Sequence, residues 1–317
     1  MNILVVTYWS YRDALIQTYT LPYVRLIRNR LGDSGKIYLL TIENQFHRMD
    51  EQAWKAACTK MEQENIYLIR FKYDHFGLKM AFRFFGIVSK LIRLIKKEKI
   101  AFIHSWCMTA GALGYILSVF TKKPLIIDSY EPHADSMVEN GTWTRSGIKY
   151  KILSWLEKKQ SRKAKTVIAL TEGMKDYGSR KYGASFDHYY VKPAMVNLEK
   201  FEWNEETYQG LRKKHEVEDR VVCLYAGKLG GIYLEEEVFD FFETAYDHWK
   251  DRLKIFLLTD KNPEDVKQMM KKRNIPETIM ETRFVNYNDI PPYFTLADFA
   301  INPVKPVPSK RYCTSIK

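Results

Sequence analysis

The chain has 317 residues, of which 46% are hydrophobic and 28% charged, a composition typical of a folded globular protein rather than a disordered one. Its length suggests two domains of about 150 residues each, and no apolar run reaches the ~18–20 residues of a membrane-spanning helix. The net charge of +12 is uneven, because residues 1–200 carry 32 basic and 18 acidic side chains and residues 201–317 carry 18 and 20. The basic half is expected to meet an anionic partner, such as a phosphate-rich ligand, an acidic membrane surface or nucleic acid.

The N-terminal sequence MNILVVTYWSY has no basic stretch before its apolar run, so it is interpreted as a first strand rather than a signal peptide. The four cysteines are far apart and form no CxxC pair, which argues against a disulfide framework and against a zinc site. These features predict a cytoplasmic location, with peripheral contact at the inner face of the membrane as an open alternative.

Short apolar runs alternate with longer segments of helical spacing in the first half of the chain. Strands are predicted at ILVVTY, KIYLLTI, IAFIHSW, PLIIDSY and TVIALT, and helices at Leu15–Leu31, Ala81–Lys97 and Ile148–Lys163. This alternation indicates βαβ units and a parallel sheet. The segment YYVKPAMVNLEKF breaks the alternation and is interpreted as one strand that runs into a linker. The predicted divisions are a first domain over 1–195, a linker over 196–218 and a second domain over 219–317.

The alternation restarts in the second domain. Strands are predicted at VVCLYAG, LKIFLLTD, TRFVNY and DFAINPV, and helices at Tyr233–Trp249, PEDVKQMMKKRN and IPPYFTLA. The predicted fold class is therefore α/β, with two Rossmann-like parallel-sheet domains and a crevice between them. Ligands of such sheets bind at the carboxyl ends of the strands, which directs attention to the residues just after each strand.

The segment Leu224–Gly231 runs from a predicted strand into a glycine-rich turn before a helix. Glycines there let backbone N–H groups approach an anion, and Lys228 adds a full charge. The pattern is neither a Walker loop nor GxGxxG, and an ordinary tight turn explains it equally well. Glu235–Glu237 fit the charge preference of a first helical turn, although a carboxylate there could also bind a ligand.

The second half resembles the donor domain of GT-B-fold glycosyltransferases, in particular the retaining type of family 4. Gly227-Lys228-Leu229 resembles the family's Gly-Arg/Lys-Leu turn, and VKPAMVNLEKF resembles its linker. IPPYFTLADFAINP and Ser315-Ile316-Lys317 resemble two later segments, the second being the start of Ser-Pro-x-Lys. Two departures stand out. Leu234 replaces a second basic residue found in many relatives, and the chain ends before the helix whose glutamate contacts the donor, so the second domain is predicted to be incomplete.

The resemblance implies an enzyme, a glycosyltransferase of hexosyl type. It would move a sugar from a nucleotide-sugar donor to a hydroxyl of a glycan or lipid-linked glycan, with retention of configuration. The sequence shows no cluster of metal ligands, so no metal ion is expected, and lysines and a helix dipole would neutralise the departing diphosphate instead. The residues expected to bind the diphosphate are Gly227, Lys228, Gly230, Gly231 and Lys317, and those expected to contact the nucleotide are Thr259, Asp260 and Val285.

Polar and aromatic side chains also follow the strands of the first domain. In the resembling family a histidine after the strand PLIID lies near the reaction centre, so His133 and its neighbour Glu131 are the catalytic candidates, with a solvated polar loop as the alternative. Aromatic rings stack on sugar faces and an arginine can meet a phosphate. The expected acceptor-binding residues are therefore Tyr8, Trp9, Tyr11, Arg12 and His104, with an aromatic cap on the sheet and a packed histidine as the alternatives.

The segment Lys79–Lys97 combines apolar residues with six basic side chains and could lie on an anionic membrane surface. A helix packed on its own sheet is the slightly favoured alternative.

Three other functions remain open: a GT-B-fold sugar-nucleotide epimerase, an inactive truncated sugar-nucleotide binder and, ranked lowest for lack of a motif, a nucleic-acid-binding protein.

Overall fold

The structure is a computed structural model that describes residues 1–32, 34–45, 47–73, 78–196 and 198–313, with the backbone alone described over 78–82. Contacts divide the chain into two compact units. The first unit comprises Met1–Pro193 and a short segment that begins at Arg311, and the second comprises Ala194–Lys310. Residues 196–218, predicted to be a linker, are grouped with the second unit.

A seven-stranded parallel sheet forms the centre of the first unit within the described residues. Its strands are β1 (Asn2–Val6), β2 (Lys36–Glu43), β3 (Ile66–Lys72), β4 (Ile100–Trp106), β5 (Leu125–Tyr130), β6 (Thr166–Ala169) and β7 (His188–Val191). Their order across the sheet is β3-β2-β1-β4-β5-β6-β7. Strand β3 was not predicted, although its sequence IYLIRFK is rich in β-branched and aromatic residues.

Helices cover both faces of this sheet. They are a π-helical segment (Leu15–Thr20), α1 (Leu21–Arg30), α2 (Glu51–Gln63), α3 (Leu78–Lys97), α4 (Met108–Thr121), α5 (His133–Glu139), α6 (Ile148–Lys163) and α7 (Gly173–Tyr182). Side chains alternate along β1, so Leu4 belongs to a core with α3 and α4, and Ile3 to a core with α1. Among the described side chains of α3, Val88, Leu91 and Ile95 are buried in that core, as the packed-helix alternative predicts, whereas Phe85 is exposed.

The second unit has a four-stranded parallel sheet within the described residues, in the order β10-β9-β8-β11. Its elements are α8 (Glu205–Lys214), β8 (Val221–Ala226), α9 (Glu236–Trp249), β9 (Leu253–Leu258), α10 (Pro263–Lys272), β10 (Met280–Arg283), α11 (Pro291–Leu296) and β11 (Phe299–Ala300). The predicted fold class, α/β with two parallel-sheet domains, is confirmed.

Three boundaries in the second unit differ from the prediction. Helix α9 begins at Glu236 rather than at Tyr233, because the preceding residues pair with the segment after β11: Leu234 donates its N–H to the carbonyl of Pro303 at 3.0 Å, and Tyr233 bridges Val304. Strand β11 comprises only Phe299–Ala300, which is shorter than the predicted DFAINPV. Strand β10 ends at Arg283, before the predicted FVNY.

Helix α8 lies inside the predicted linker and contains Arg212, which is only 4% exposed. The Arg212 guanidinium donates to the carbonyl of Val217 at 2.7 Å and to the carboxylate of Asp298 at 3.1 Å. These bonds anchor the segment to the second unit. No helix within the described ranges is both long and apolar enough to cross a membrane.

Candidate functional site

The glycine-rich turn lies at the carboxyl end of β8, where the sequence predicts it. Gly227, Gly230 and Gly231 have φ angles of +130°, +75° and +67°, values that residues with a Cβ atom rarely adopt. The N–H of Gly227 donates to the carbonyl of Leu258 at 2.7 Å. This N–H is therefore already used within the sheet, and Gly227 contributes its backbone conformation to the turn rather than a hydrogen bond to an anion. Lys228 is exposed, and its carbonyl accepts a hydrogen bond from the Tyr225 hydroxyl at 2.8 Å.

An ion pair joins this turn to the end of the neighbouring strand β9. The Nζ atom of Lys261 lies 2.5 Å from the carboxylate of Glu235, and this bond raises the pKa of the lysine. A Cβ at Gly230 would lie 2.7 Å from the same carboxylate, and the φ of +75° at this position also favours a glycine. Glu235 therefore precedes α9 and orders the turn, whereas Glu236 is held by Arg273 at 2.8 Å.

Two of the predicted nucleotide-binding residues, Thr259 and Asp260, directly precede Lys261 in the chain. Thr259 has 4% exposure, donates its N–H to the carbonyl of Arg283 at 3.0 Å and accepts from the N–H of Lys261 at 3.3 Å through its hydroxyl. Asp260 is exposed and Val285 is half-buried after β10. Lys317, predicted to bind the diphosphate, lies outside the described residues.

In the first unit, the loop after β1 carries the predicted acceptor-binding aromatics. Tyr8 is 39% exposed, whereas Trp9 is partly buried against the core on both faces of the sheet. Tyr11 stacks edge-on against Trp54 with ring centroids 6.2 Å apart. Arg12 is exposed. Trp9 and Tyr11 thus cap the sheet, and Tyr8 and Arg12 are the members of the set that reach solvent.

The loop after β5 brings the two catalytic candidates together. His133 Nδ1 lies 3.1 Å from the carboxylate of Glu131, and both side chains are about one quarter exposed. The other Glu131 oxygen lies 3.5 Å from Sγ of Cys313, in the C-terminal segment of the same unit. His133 is the first residue of α5, so the start of that helix sets the position of the imidazole.

A buried carboxylate on α6 fixes the start of α5. Glu157 is fully buried, accepts from the N–H of Ala134 at 2.8 Å and from the hydroxyl of Tyr182 at 2.7 Å. Burial raises the pKa of Glu157 to about 7, although these hydrogen bonds oppose the shift. The adjacent Gln160 donates to the carbonyl of Met108 at 2.9 Å, so α6 also holds the first residue of α4.

A second buried cluster joins β4 and β5 to Lys192, the residue that follows β7. Asp128 has 1% exposure and accepts from Lys192 Nζ at 2.7 Å, with His104 Nε2 at 3.3 Å. The lysine lies 4.0 Å from the ring centroid of Tyr23 and 4.2 Å from that of Trp106. Burial raises the pKa of Asp128, but hydrogen bonds from His104 and Lys192 more than offset it and hold the pKa below its usual value.

His104 requires a correction. The sequence makes it an acceptor-binding candidate with a packed histidine as the alternative, and the structure has it packed inside β4 with 4% exposure, paired to Ile126 in the sheet register. Its imidazole is directed at Asp128 and is not exposed to an acceptor. Among the residues described here, no group of three or more His, Cys, Asp or Glu side chains is arranged to hold a metal ion.

Sequence reasoning missed the residues that support the candidates. Lys261 follows directly after the predicted Thr259 and Asp260, so its position at a strand end was an available signal. Asp128 and Lys192 are 64 positions apart, and Glu157 lies 23 positions from Ala134, so no local pattern joins these partners.

The structure has two parallel sheets, and each carries candidate residues at its carboxyl edge. Comparison with solved structures identifies the fold. HepE of Anabaena in complex with UDP has a TM-score of 0.66 at 15% identity, covering 95% of this chain and 73% of that chain. WaaG, a glycosyltransferase involved in lipopolysaccharide biosynthesis, has a TM-score of 0.65 at 12% identity, covering 96% and 75%. The chain has the GT-B fold.

The sequence comparisons indicate which glycosyltransferase family the chain resembles. The family model of Glycosyltransferase Family 4 matches residues 53–200. Alpha-D-kanosaminyltransferase of Streptomyces kanamyceticus is 22% identical over 216 residues, which is 66% of this chain and 55% of that protein. The chain thus spans about half the length of this curated relative. The resemblance to GT-B-fold glycosyltransferases of family 4 is confirmed.

Proposed function

We propose that this protein transfers a hexosyl group from a nucleotide-sugar donor to a hydroxyl of a glycan or lipid-linked glycan, with retention of configuration. The observation that carries the proposal is the glycine turn of the second unit. Two ammonium groups, those of Lys228 and Lys261, belong to the loops at the carboxyl ends of neighbouring strands β8 and β9, where α/β sheets bind ligands. The Family 4 segment over residues 53–200 supports the same function.

In this proposal the second unit holds the donor. The diphosphate lies on the turn at Gly230 and Gly231, with Lys228 beside it, and the nucleoside contacts the region of Thr259, Asp260 and Val285. When the bond from the sugar to the diphosphate breaks, negative charge builds on the leaving oxygen. Lys228 and the N-terminal end of α9 stabilise that charge without a metal ion, a type of interaction that is often the largest catalytic contribution.

The first unit binds the acceptor. Tyr8 and Arg12 supply exposed aromatic and cationic groups, and the pair of Glu131 and His133 supplies a hydrogen-bonding group for the reacting hydroxyl. The Glu131 carboxylate, 3.1 Å from Nδ1, fixes the orientation of the imidazole. Glu157 holds the backbone next to this histidine, so the position of the ring depends on a buried contact.

The names of the similar proteins suggest the first probes. The solved structures of HepE include complexes with UDP and with UDP-glucose, and the curated relative is named for transfer of kanosamine. UDP-linked hexoses are therefore the donors to test first. A cytoplasmic location, with peripheral contact at the inner face of the membrane as the alternative, stays a prediction from the sequence.

The test is product analysis after incubation with isotope-labelled UDP-hexoses, with and without a mixture of glycan and lipid-linked acceptors. Acceptor-dependent appearance of label in a glycoside, with an unchanged anomeric configuration, is the expected result. An isomerised nucleotide sugar formed without acceptor would instead identify an epimerase. Binding of the nucleotide sugar with no conversion would identify an inactive binder.

A further inference from the structure

Helix α6 has an unusual distribution of side chains. Its inner face carries three fully buried polar residues, Glu157, Gln160 and Ser161. Its outer face presents Ile148, Ile152 and Trp155, which are 65%, 39% and 55% exposed. These three apolar residues are spaced by four and three positions and therefore form one stripe along the helix. A stripe of this kind normally faces a core, whereas here it faces outward.

Basic residues surround the outward stripe. The exposed lysines of α6 are Lys149, Lys151, Lys158, Lys159 and Lys163. The one acidic residue of the helix, Glu157, is on the buried side. Lys159 lies with its Nζ atom 5.6 Å from the ring centroid of Trp155, so the charge is adjacent to the apolar stripe. We call this surface, defined by Ile148, Ile152, Trp155 and the five lysines, the α6 surface.

Helix α3, the basic helix that the sequence singles out, lacks such a stripe among its described side chains. Val88, Leu91 and Ile95 have at most 7% exposure and belong to the core of the first unit. Phe85 is exposed but has no apolar neighbour one turn further along, because Ser89 follows at that position. The two helices therefore carry similar charge, but among the described side chains only α6 has an exposed apolar stripe.

We propose that the α6 surface docks on a membrane that contains anionic lipids. An exposed indole and two isoleucines fit the boundary between headgroups and acyl chains, and lysines on both sides of the stripe fit the phosphates of that layer. All five charged side chains of the α6 surface are lysines, so a second copy of the same surface would be repelled. A nucleic acid would engage the lysines but would leave Ile148 and Ile152 without an apolar partner.

This inference is independent of the proposed transferase. None of the α6 surface residues is assigned to donor or acceptor binding, so membrane docking and glycosyl transfer can fail separately. All three apolar side chains are exposed, and their replacement is expected to leave the melting temperature of the chain nearly unchanged.

The test is co-sedimentation of the full chain with vesicles of phosphatidylcholine alone or mixed with phosphatidylglycerol, over a series of salt concentrations. Binding to the mixed vesicles that weakens with salt is expected. Trp155→Ala should weaken the partition by about tenfold, because it removes the largest single side chain of the exposed apolar stripe. The triple variant Lys151→Gln, Lys158→Gln, Lys159→Gln should weaken it on the order of a hundredfold, since each lysine near an anionic surface contributes roughly fivefold.

The matched control is Arg83→Gln, Lys90→Gln, Arg93→Gln, which removes the same charge from exposed positions of α3. It should weaken binding far less than the α6 triple variant. Three results would overturn the proposal: absence of binding to the mixed vesicles, equal losses in the two triple variants, or no loss with Trp155→Ala. The last would mean that charge alone drives association, as at a surface for a polyanion.

Discussion

Replacement of Lys228 tests where the diphosphate binds. A charge-assisted hydrogen bond to a phosphate contributes about 1.5–3 kcal/mol. Lys228 is exposed, so solvent screens a contact made there, and the lower end of that range applies. Lys228→Ala should therefore reduce the affinity for UDP by about tenfold, with an unchanged melting temperature. Calorimetric titration of UDP measures this directly.

The matched control is Lys250→Ala, an exposed lysine at the other end of α9 that pairs with Asp247 at 2.9 Å. It carries the same charge on the same unit, so it separates a specific contact from the general field of the protein. The control should bind UDP like the parent. If Lys228→Ala binds as tightly as the control, the turn does not hold the diphosphate, and the assignment of the donor to this loop is wrong.

Three further variants address individual contacts. Gly230→Ala should weaken UDP binding and destabilise the second unit, because its Cβ would press on Glu235 at a positive φ; denaturant unfolding with calorimetry measures both effects. His133→Ala should cut turnover sharply while UDP affinity and melting temperature stay nearly constant, and a large loss of stability with preserved turnover per folded molecule would favour a packing role. Glu157 has a folded-state pKa of about 7 against an ordinary value of 4.5, so the folded state binds the extra proton and stability should fall by about 3 kcal/mol as pH rises from about 4.5 to 7. Urea unfolding across this range should show that slope in the parent and a flatter profile in Glu157→Gln; equal slopes would remove Glu157 as its source.

Much of the fold follows from local sequence patterns. The runs that became β1, β2, β4, β5 and β6 are short, apolar and bounded by polar residues, so their period and length identify buried parallel strands. The prediction erred where a long-range contact overrode local preference. Helical spacing begins at Tyr233, but backbone hydrogen bonds to residues 303–305 delay the helix to Glu236.

Less of the candidate site could be predicted from local sequence patterns. The glycine turn and the loop with His133 follow strands directly, and their location could be predicted. The groups that hold them in place could not, because the contacts join distant positions: Asp128 with Lys192, and Glu157 with the start of α5. His104 shows the same limit. Its position near a strand end suggested a ligand contact, but strand β4 continues for two more residues and buries it.

Thermal denaturation of the full chain with increasing UDP-hexose concentration tests the central claim most directly, because a ligand that binds only the folded state stabilises it by RT ln(1 + [L]/Kd). At about one hundred times the dissociation constant this amounts to about 2.7 kcal/mol, which raises the melting temperature by several degrees. The account predicts a saturable increase with at least one UDP-hexose, and a smaller increase in Lys228→Ala at the same concentration. No shift with any nucleotide sugar or nucleoside diphosphate, up to saturating concentrations for ordinary donors, would contradict it.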